Sequence, residues 1–98
     1  MTATTFVEVV LTCTSWQQAQ TIADQLLEKR LVASAEFIDD THGEASAVKL
    51  IMQTMGDRFE AIEAEIRQLH SQVAATMHMV AMADIAPATA AWLEDEIK

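Results

Sequence analysis

The chain is poor in the residues that interrupt or cross-link a fold. Its 98 residues include two glycines, one proline and one cysteine. A single cysteine excludes an intramolecular disulfide and any zinc site of the Cys-x-x-Cys type. With so few glycines and prolines, the chain has no long flexible linker or low-complexity segment. These absences indicate one folded domain over residues 1–98.

Basic residues and long apolar runs are also scarce. Six lysines and arginines stand against fifteen acidic residues, which gives a formal charge of −9. Such a charge repels phosphate backbones, so we expect no nucleic-acid binding. No run reaches membrane-spanning length, and residues 1–5 carry no positive charge of the kind that begins a signal peptide. We therefore expect a cytoplasmic protein without membrane contact.

The most informative pattern present is a strand followed by a capped helix, which occurs twice. Apolar runs at 6–12 and 48–53 lead into segments where Ser15 with Gln18, and Asp57 with Glu60, fit the capping box. Each helix is followed by another strand-like run. This order predicts an α+β fold, the ferredoxin-like βαββαβ sandwich, with both helices on one face of an antiparallel sheet.

Helical periodicity supports this prediction. Both predicted helices carry an apolar face at helical spacing, and a third helix is predicted from Pro87 to Lys98, since proline suits the first helical turn. The apolar positions of the two main helices are Trp16, Ala19, Ile22, Ala23, Leu26 and Leu27, then Phe59, Ile62, Ile66 and Leu69.

Alternation divides the strands into two faces, of which one is apolar and must meet the helices. The other face mixes apolar and charged residues. Left open, its apolar positions would be an exposed patch in a monomer, so we expect another subunit to cover it. In the usual strand order Glu8 would lie between Lys49 and His78, as a ligand site or, in our preferred interpretation, an inter-subunit network. The second face carries Phe6, Val10, Ile51, Val80 and Met82 together with Glu8, Lys49, Gln53 and His78.

Several segments resemble the divalent-cation-tolerance (CutA) family, in one order along most of the chain. The resemblance implies a ferredoxin-like fold related to the PII signalling proteins, a tight homotrimer, and a role in tolerance of divalent metals, especially copper. The similar segments are Leu11-Thr12-Cys13-Thr14-Ser15, Glu28-Lys29-Arg30-Leu31-Val32-Ala33-Ser34, Asp57-Arg58-Phe59-Glu60-Ala61-Ile62-Glu63, Leu69-His70, Pro87-Ala88 and Ala91-Trp92-Leu93.

The chain departs from the family's pattern in two places. CutA proteins carry a long hairpin with aromatic residues between the second and third strands, where this chain has only residues 39–47. After the Leu-His pair the family usually has Pro-Tyr-Glu-Val-Pro-Glu, whereas residues 71–76 here are Ser-Gln-Val-Ala-Ala-Thr. The tyrosine and both carboxylates are therefore missing. The comparison implies a shortened, divergent member with reduced metal binding.

Two residues are candidates for binding copper or another divalent cation. Cys13 follows the first strand just before a helix N-terminus, whose partial positive charge favours a thiolate. Its position matches the family, although a small buried residue at a turn is the alternative. His70 matches the family's Leu-His pair. Its alternative is a plain capping role at the negative end of the second helix.

The tripeptide Met77-His78-Met79 superficially resembles a copper(I) motif. Alternation along a strand sends His78 to the opposite face from both methionines, so the three side chains cannot converge on one ion. We therefore expect the methionines to pack in the core.

The sequence carries no motif of a known catalytic class. Ser-His-Asp spacing, a phosphate-binding glycine loop and His-Glu-x-x-His are all absent, so we expect no enzyme. The leading hypothesis is a CutA-like homotrimer that binds a divalent cation. The alternative is a PII-like regulatory module that binds a small ligand or partner protein in clefts between subunits, with residues 39–47 as the first place to look.

Overall fold

A computed structural model describes residues 5–82 and 85–97. It confirms the predicted ferredoxin-like order and adds a short helix, α3, before the last strand. The predicted end of the third helix at Lys98 lies outside the described residues. The elements are β1 (Phe6–Cys13), α1 (Trp16–Glu28), β2 (Ser34–Asp39), β3 (Val48–Met55), α2 (Phe59–Leu69), α3 (Ser71–Ala74), β4 (His78–Ala81) and α4 (Pro87–Ile97).

The four strands form one antiparallel sheet in the order β2-β3-β1-β4. β1 therefore lies between β3 and β4, as predicted. β3 pairs with all of β1, from Phe6 opposite Met55 to Cys13 opposite Val48. β4 pairs only with residues 7–10 of β1. The last residues of β1 consequently have a strand partner on one side only.

The main core fills the space between the sheet and α1, α2 and α3. The inner face of α1 is the predicted one, with Leu26 among its buried residues. Two predicted positions of α1 differ, because Leu27 is 39% exposed and Trp16 is 53% exposed and stacks on Phe37 of β2 with ring centroids 5.8 Å apart. On α2, the predicted position Leu69 is 54% exposed. The buried cluster consists of Val7, Val9, Leu11, Cys13, Ala19, Ile22, Ala23, Leu26, Val32, Val48, Leu50, Met52, Ile62, Ile66 and Val73.

The end of α1 is fixed by backbone geometry and one buried hydroxyl. Arg30 has a φ of 57°, and the amides of Arg30 and Leu31 donate to the carbonyls of Leu27 and Leu26, which is the Schellman arrangement. The Leu31 carbonyl then accepts from the buried Thr54 hydroxyl at 2.6 Å. This bond ties the helix exit to β3, so the chain enters β2 beside its partner strand.

Neither predicted capping box forms in full, and only the first has its N-cap bond. Ser15 caps α1, because its Oγ accepts the Gln18 amide at 3.1 Å. The prediction for Asp57 and Glu60 is wrong. A 3-10 turn at Gly56–Arg58 precedes α2, so Arg58 becomes the N-cap and makes no side-chain capping bond.

The helix α4 packs on the sheet face opposite α1 and α2, which is called the open face below. Its buried residues Leu93 and Ile97 contact Phe6 and Met55, a cross-strand pair at one end of that face. Phe6, predicted to be uncovered, is thus covered within the chain. The remaining open face begins at Glu8.

The packing of α4 predicts a different cost for two leucine truncations. Leu93→Ala removes a fully buried side chain and should lower the free energy of unfolding by about 2–5 kcal/mol. Leu27→Ala is the matched control, because Leu27 is 39% exposed on α1, and it should cost less than half as much. Urea unfolding at one fixed protein concentration measures both. Equal losses would contradict the packing of α4 on the sheet.

Candidate functional site

Both predicted metal-binding residues, Cys13 and His70, line the same cleft. It is a cavity of about 460 Å³ at the end of the sheet where β1 finishes and β3 begins. One wall comes from the turn between β1 and α1, another from the corner between α2 and α3, and a third from the residues before β3. The lining residues are Thr12, Cys13, Thr14, Gln18, Ser46, Ala47, Leu69, His70, Ser71, Gln72, Val73 and Thr76.

The wall formed by the β1–α1 turn is held by Gln18. Its Oε1 accepts from the Thr14 amide at 2.8 Å and from the Thr14 hydroxyl at 3.1 Å. In a standard capping box this side chain would instead reach the Ser15 amide. The two bonds from Thr14 fix the side-chain carboxamide of Gln18. Its side-chain nitrogen, Nε2, makes no hydrogen bond within the described residues.

The α2–α3 wall is joined to β1 by Thr76. His70 ends α2, and its amide donates to the Ile66 carbonyl at 2.6 Å. The Thr76 hydroxyl donates to the Val73 carbonyl at 2.7 Å and accepts the Thr12 amide at 2.9 Å. Thr76 therefore replaces the missing strand partner at the end of β1. Sequence reasoning missed this role, because no local pattern signals a hydroxyl that substitutes for a strand.

The structure supports the alternative stated for Cys13, a small buried residue at a turn, over a thiolate. Its side chain is fully buried, and burial raises the pKa of the thiol to about 11. The thiol is therefore protonated at neutral pH, whereas the nearby helix N-terminus had suggested a thiolate. Desolvation outweighs the helix dipole here, since the dipole contributes only about 0.3–1 kcal/mol at ordinary sites.

His70 is the one residue of a titratable basic type that lines the cleft. None of its lining residues is a lysine, arginine, aspartate or glutamate. Among residues 5–82 and 85–97, no three histidine, cysteine or acidic side chains come close enough together to hold a metal ion. Cys13 and His70 are thus two donors of the soft and borderline type that copper prefers, without a third from the described part of the same chain.

The predicted network of Glu8, Lys49 and His78 is not formed within the chain. All three lie on the open face, but Glu8 is opposite Gln53 and Val80, Lys49 is opposite Thr12, and His78 is opposite Val10. The register places Lys49 four residues along the strand from the position facing Glu8, about 13 Å away. Lys49 instead has its Nζ 4.0 Å from a carboxylate oxygen of Asp40.

The two methionines beside His78 have different environments. Met77 packs against the main core, as predicted, whereas Met79 is 47% exposed. Met79 lies opposite Val9, on the helix side of the sheet, but β4 is a short edge strand and all four of its residues are exposed. The prediction of core packing is therefore wrong for Met79.

Residues 39–47 form a compact turn. Gly43 has a φ of 60° between His42 and Ala45, which form an isolated bridge. Hydrogen bonds from Thr41 lower the pKa of Asp39 at the start of the turn. Only Ser46 and Ala47 of this segment line the cleft. None of the helices in the described part of the chain is long and apolar enough to cross a bilayer.

Comparison with known proteins gives one consistent result. The family model of the CutA1 divalent ion tolerance protein matches residues 7–96. No curated relative matches the chain in sequence. Among solved structures, the chain is similar to CutA from Pyrococcus horikoshii, with 24% identity over 94% of this chain and 99% of that one, at a TM-score of 0.82.

Two further structures show the same fold at lower identity. The periplasmic divalent cation tolerance protein CutA from Archaeoglobus fulgidus is 21% identical over 95% of this chain and 99% of its own, with a TM-score of 0.79. CutA1 from Ehrlichia chaffeensis is 17% identical over 99% of both chains, again at 0.79. The fold is therefore conserved over essentially the whole length of these proteins.

The buried thiol predicts a pH dependence of stability. The pKa of Cys13 is about 11 in the folded state, above its ordinary value of 9.0, so folding stability is complete below pH 9 and decreases as the pH rises toward 11. The loss is on the order of 2 kcal/mol. Cys13→Ala has no thiol at this position to ionise. The difference in unfolding free energy between the native protein and the variant should therefore shrink between pH 9 and 11. Urea unfolding at several pH values measures it, and a constant difference would show that the thiol is not desolvated.

Proposed function

The chain belongs to the CutA1 divalent ion tolerance family, and from this premise we propose that it acts as a homotrimer in divalent metal tolerance, with copper as its ion. The open face of the sheet is the observation that supports the proposed trimer. The cleft that contains Cys13 and His70 supports weak copper binding. We assign the chain a binding role rather than an enzymatic one, in the cytoplasm, where a single thiol stays reduced.

The open face carries apolar side chains that α4 leaves uncovered. Ile51 of β3 lies opposite Val10 of β1, and together they form the centre of the face. Val80 on one edge is 45% exposed and Ile38 on the other edge is 42% exposed. Val10 is already buried within the chain and Ile51 is partly exposed, so the exposed apolar positions lie mainly toward the two edges of the face. Exposed apolar side chains on one sheet face are the kind of patch that a subunit interface covers.

Burial of this surface supplies the free energy for assembly. Full burial of an isoleucine or valine side chain is worth about 1.5–3 kcal/mol relative to leaving it in water. Exposed ion pairs contribute much less, at about 0–1 kcal/mol. Glu8, Lys49 and His78 surround the apolar positions on the open face and do not meet within one chain. In the proposed trimer they form the polar part of the interface between copies.

The proposed copper contact uses Cys13 with His70 as a second ligand. Copper favours thiolate and imidazole ligands, and these are the two metal-binding side chains of the cleft. Binding must remove a proton from a thiol whose pKa is about 11, so affinity at neutral pH is reduced and proton release accompanies binding. Two ligands from one chain also give less than a complete coordination shell. We therefore expect weak, pH-dependent binding.

The trimer is tested with a charge on the open face. Ile51→Asp places a carboxylate at the centre of the proposed interface and should convert the trimer into monomers, because an unpaired charge is costly to bury. Leu27→Asp introduces the same charge at a partly exposed leucine on α1, away from the open face, and should remain trimeric. Sedimentation equilibrium gives the mass of each. A monomeric native protein, or a trimeric Ile51→Asp variant, would exclude this interface.

Copper binding is tested by the rise in melting temperature on adding copper(II), with zinc as a redox-inert divalent comparison. Ligand binding to the folded state raises stability with ligand concentration. Cys13→Ser should abolish most of the rise, and His70→Gln part of it.

His42→Gln is the matched control for the histidine variant, since the His42 side chain is 84% exposed in the turn before β3. It should leave the copper response unchanged. Tight stoichiometric binding that survives Cys13→Ser would place the metal site elsewhere.

A further inference from the structure

The cleft presents several hydrogen-bonding groups that the fold itself does not use. Within the part of the chain that the structure describes, the side chains of Ser46, Ser71 and Gln72 bond to no other protein group. The Gln18 amide nitrogen is also unused, while its oxygen is held by Thr14. These donors and acceptors surround one cavity and come from three separate segments of the chain.

We propose that this cleft binds an uncharged, polyhydroxylated small molecule of about the size of a monosaccharide. The inference goes beyond the metal role and does not depend on it, because hydroxyl and amide groups of the cleft hold the ligand rather than the Cys13 thiol. A ligand of this class needs many donors and acceptors at short spacing. Serine and threonine hydroxyls and glutamine amides supply both kinds of group.

The charge of the cleft selects a neutral ligand. Its lining contains no lysine or arginine to receive a phosphate or carboxylate, and no aspartate or glutamate to receive an ammonium group. The chain's net charge of −9 further disfavours anions. An organic ion would lose hydration on entry and meet no lysine, arginine or carboxylate in return, which is unfavourable.

The size and walls of the cleft favour a polyol over an aromatic ligand. About 460 Å³ lies within the range of about 300–1,000 Å³ that is usual for small-molecule sites. Ala47, Leu69 and Val73 give aliphatic contact area for the C–H groups of a sugar ring. None of the lining residues is a phenylalanine or tryptophan, and the imidazole of His70 is the one ring among them, so the cleft lacks the large aromatic side chains on which nucleobases usually stack.

Gln18 is the residue that prepares the cleft for such a ligand. Its Oε1 accepts two hydrogen bonds from Thr14, so the remaining group of the carboxamide is the NH₂ donor. Because the carboxamide is already fixed, little side-chain entropy is lost when a ligand hydroxyl accepts from it. Glutamate has nearly the same shape as glutamine, so Gln18→Glu is a selective change. It keeps an oxygen for Thr14 and replaces the donor by an acceptor.

Ligand-observed saturation-transfer NMR on the full chain tests the ligand class. The neutral probes are D-glucose and myo-inositol, the charged ones D-glucose 6-phosphate and D-glucosamine, and the aromatic one adenosine. We expect at least one neutral polyol to bind, with the charged and aromatic probes about tenfold weaker or absent. Binding of no probe, or a charged or aromatic probe that binds as well as the polyols, would overturn the proposal.

Variants then place the binding in the cleft. Gln18→Glu should weaken polyol binding about tenfold, the usual effect of losing one hydrogen bond and gaining an unpaired acceptor. Gln17→Glu adds the same charge in the same turn of α1, outside the lining residues, and should change binding less than about twofold. Equal effects of the two variants would overturn the site.

Two more variants keep the test decisive. Gln72→Ala, at an exposed position of α3, should also weaken polyol binding and serves if Gln18→Glu does not fold. Cys13→Ser should abolish the copper response and retain polyol binding. In the native protein, absence of the copper response alone or of polyol binding alone shows which of the two proposals has failed. Loss of polyol binding in Cys13→Ser with intact folding would overturn the neutral-ligand site.

Discussion

The pairing of β1 with β3 along all eight residues of each strand determines both faces of the molecule. With this register, Val9 and Met52 face the helices, while Val10 and Ile51 face the other way. A shift of one residue would reverse every side chain, placing Glu8 in the core and exposing Val9. Because the helix-facing positions of both strands are fully buried, such a shift is strongly disfavoured. Every residue of the cleft and of the open face is positioned relative to this pair.

The two ends of β1 differ in what packs against them. At its start, Phe6 and Met55 are covered by Leu93 and Ile97 of α4, which closes one end of the open face. At its far end the strand extends past β4, and the Thr76 hydroxyl takes the place of a strand partner. A short edge strand therefore has two consequences. It leaves Met79 exposed, and it leaves room for the cleft beside Cys13.

The sequence predicted the features that depend on local periodicity. The Ser15 cap and the buried central positions of α1 and α2 follow from patterns within about a dozen residues, although the end positions Trp16, Leu27 and Leu69 are exposed. The strand order was predicted from the usual arrangement of the ferredoxin-like fold. The wrong predictions each needed a long-range quantity. The register that separates Glu8 from Lys49, the cover that α4 gives Phe6 and the 3-10 turn that displaces the Asp57 cap depend on tertiary packing, which local patterns do not encode.

The cleft was predicted only in part, for a similar reason. Cys13 and His70 were chosen from family-like segments, and both line it. For Cys13 the sequence left a thiolate and a buried thiol as alternatives, because its place before a helix does not show how deeply it is buried. Burial has the larger effect: a pKa of about 11 corresponds to on the order of 2 kcal/mol, against about 0.3–1 kcal/mol for a helix terminus. The unused hydrogen-bonding groups come from three segments that no single pattern connects.

The departure from the family's sequence falls on the cleft itself. Four of the six residues at 71–76, where the family usually carries a tyrosine and two carboxylates, line the cavity here, and their side chains are Ser71, Gln72, Val73 and Thr76. Val73 anchors the segment in the core, and Thr76 joins it to β1, so the backbone is held without those family residues. Loss of carboxylates removes the hard ligands and counter-charges that a divalent cation prefers. What remains is a neutral surface of hydroxyl, amide and aliphatic groups, so in this chain the same position in the fold favours hydrogen bonding to an uncharged molecule over strong metal binding.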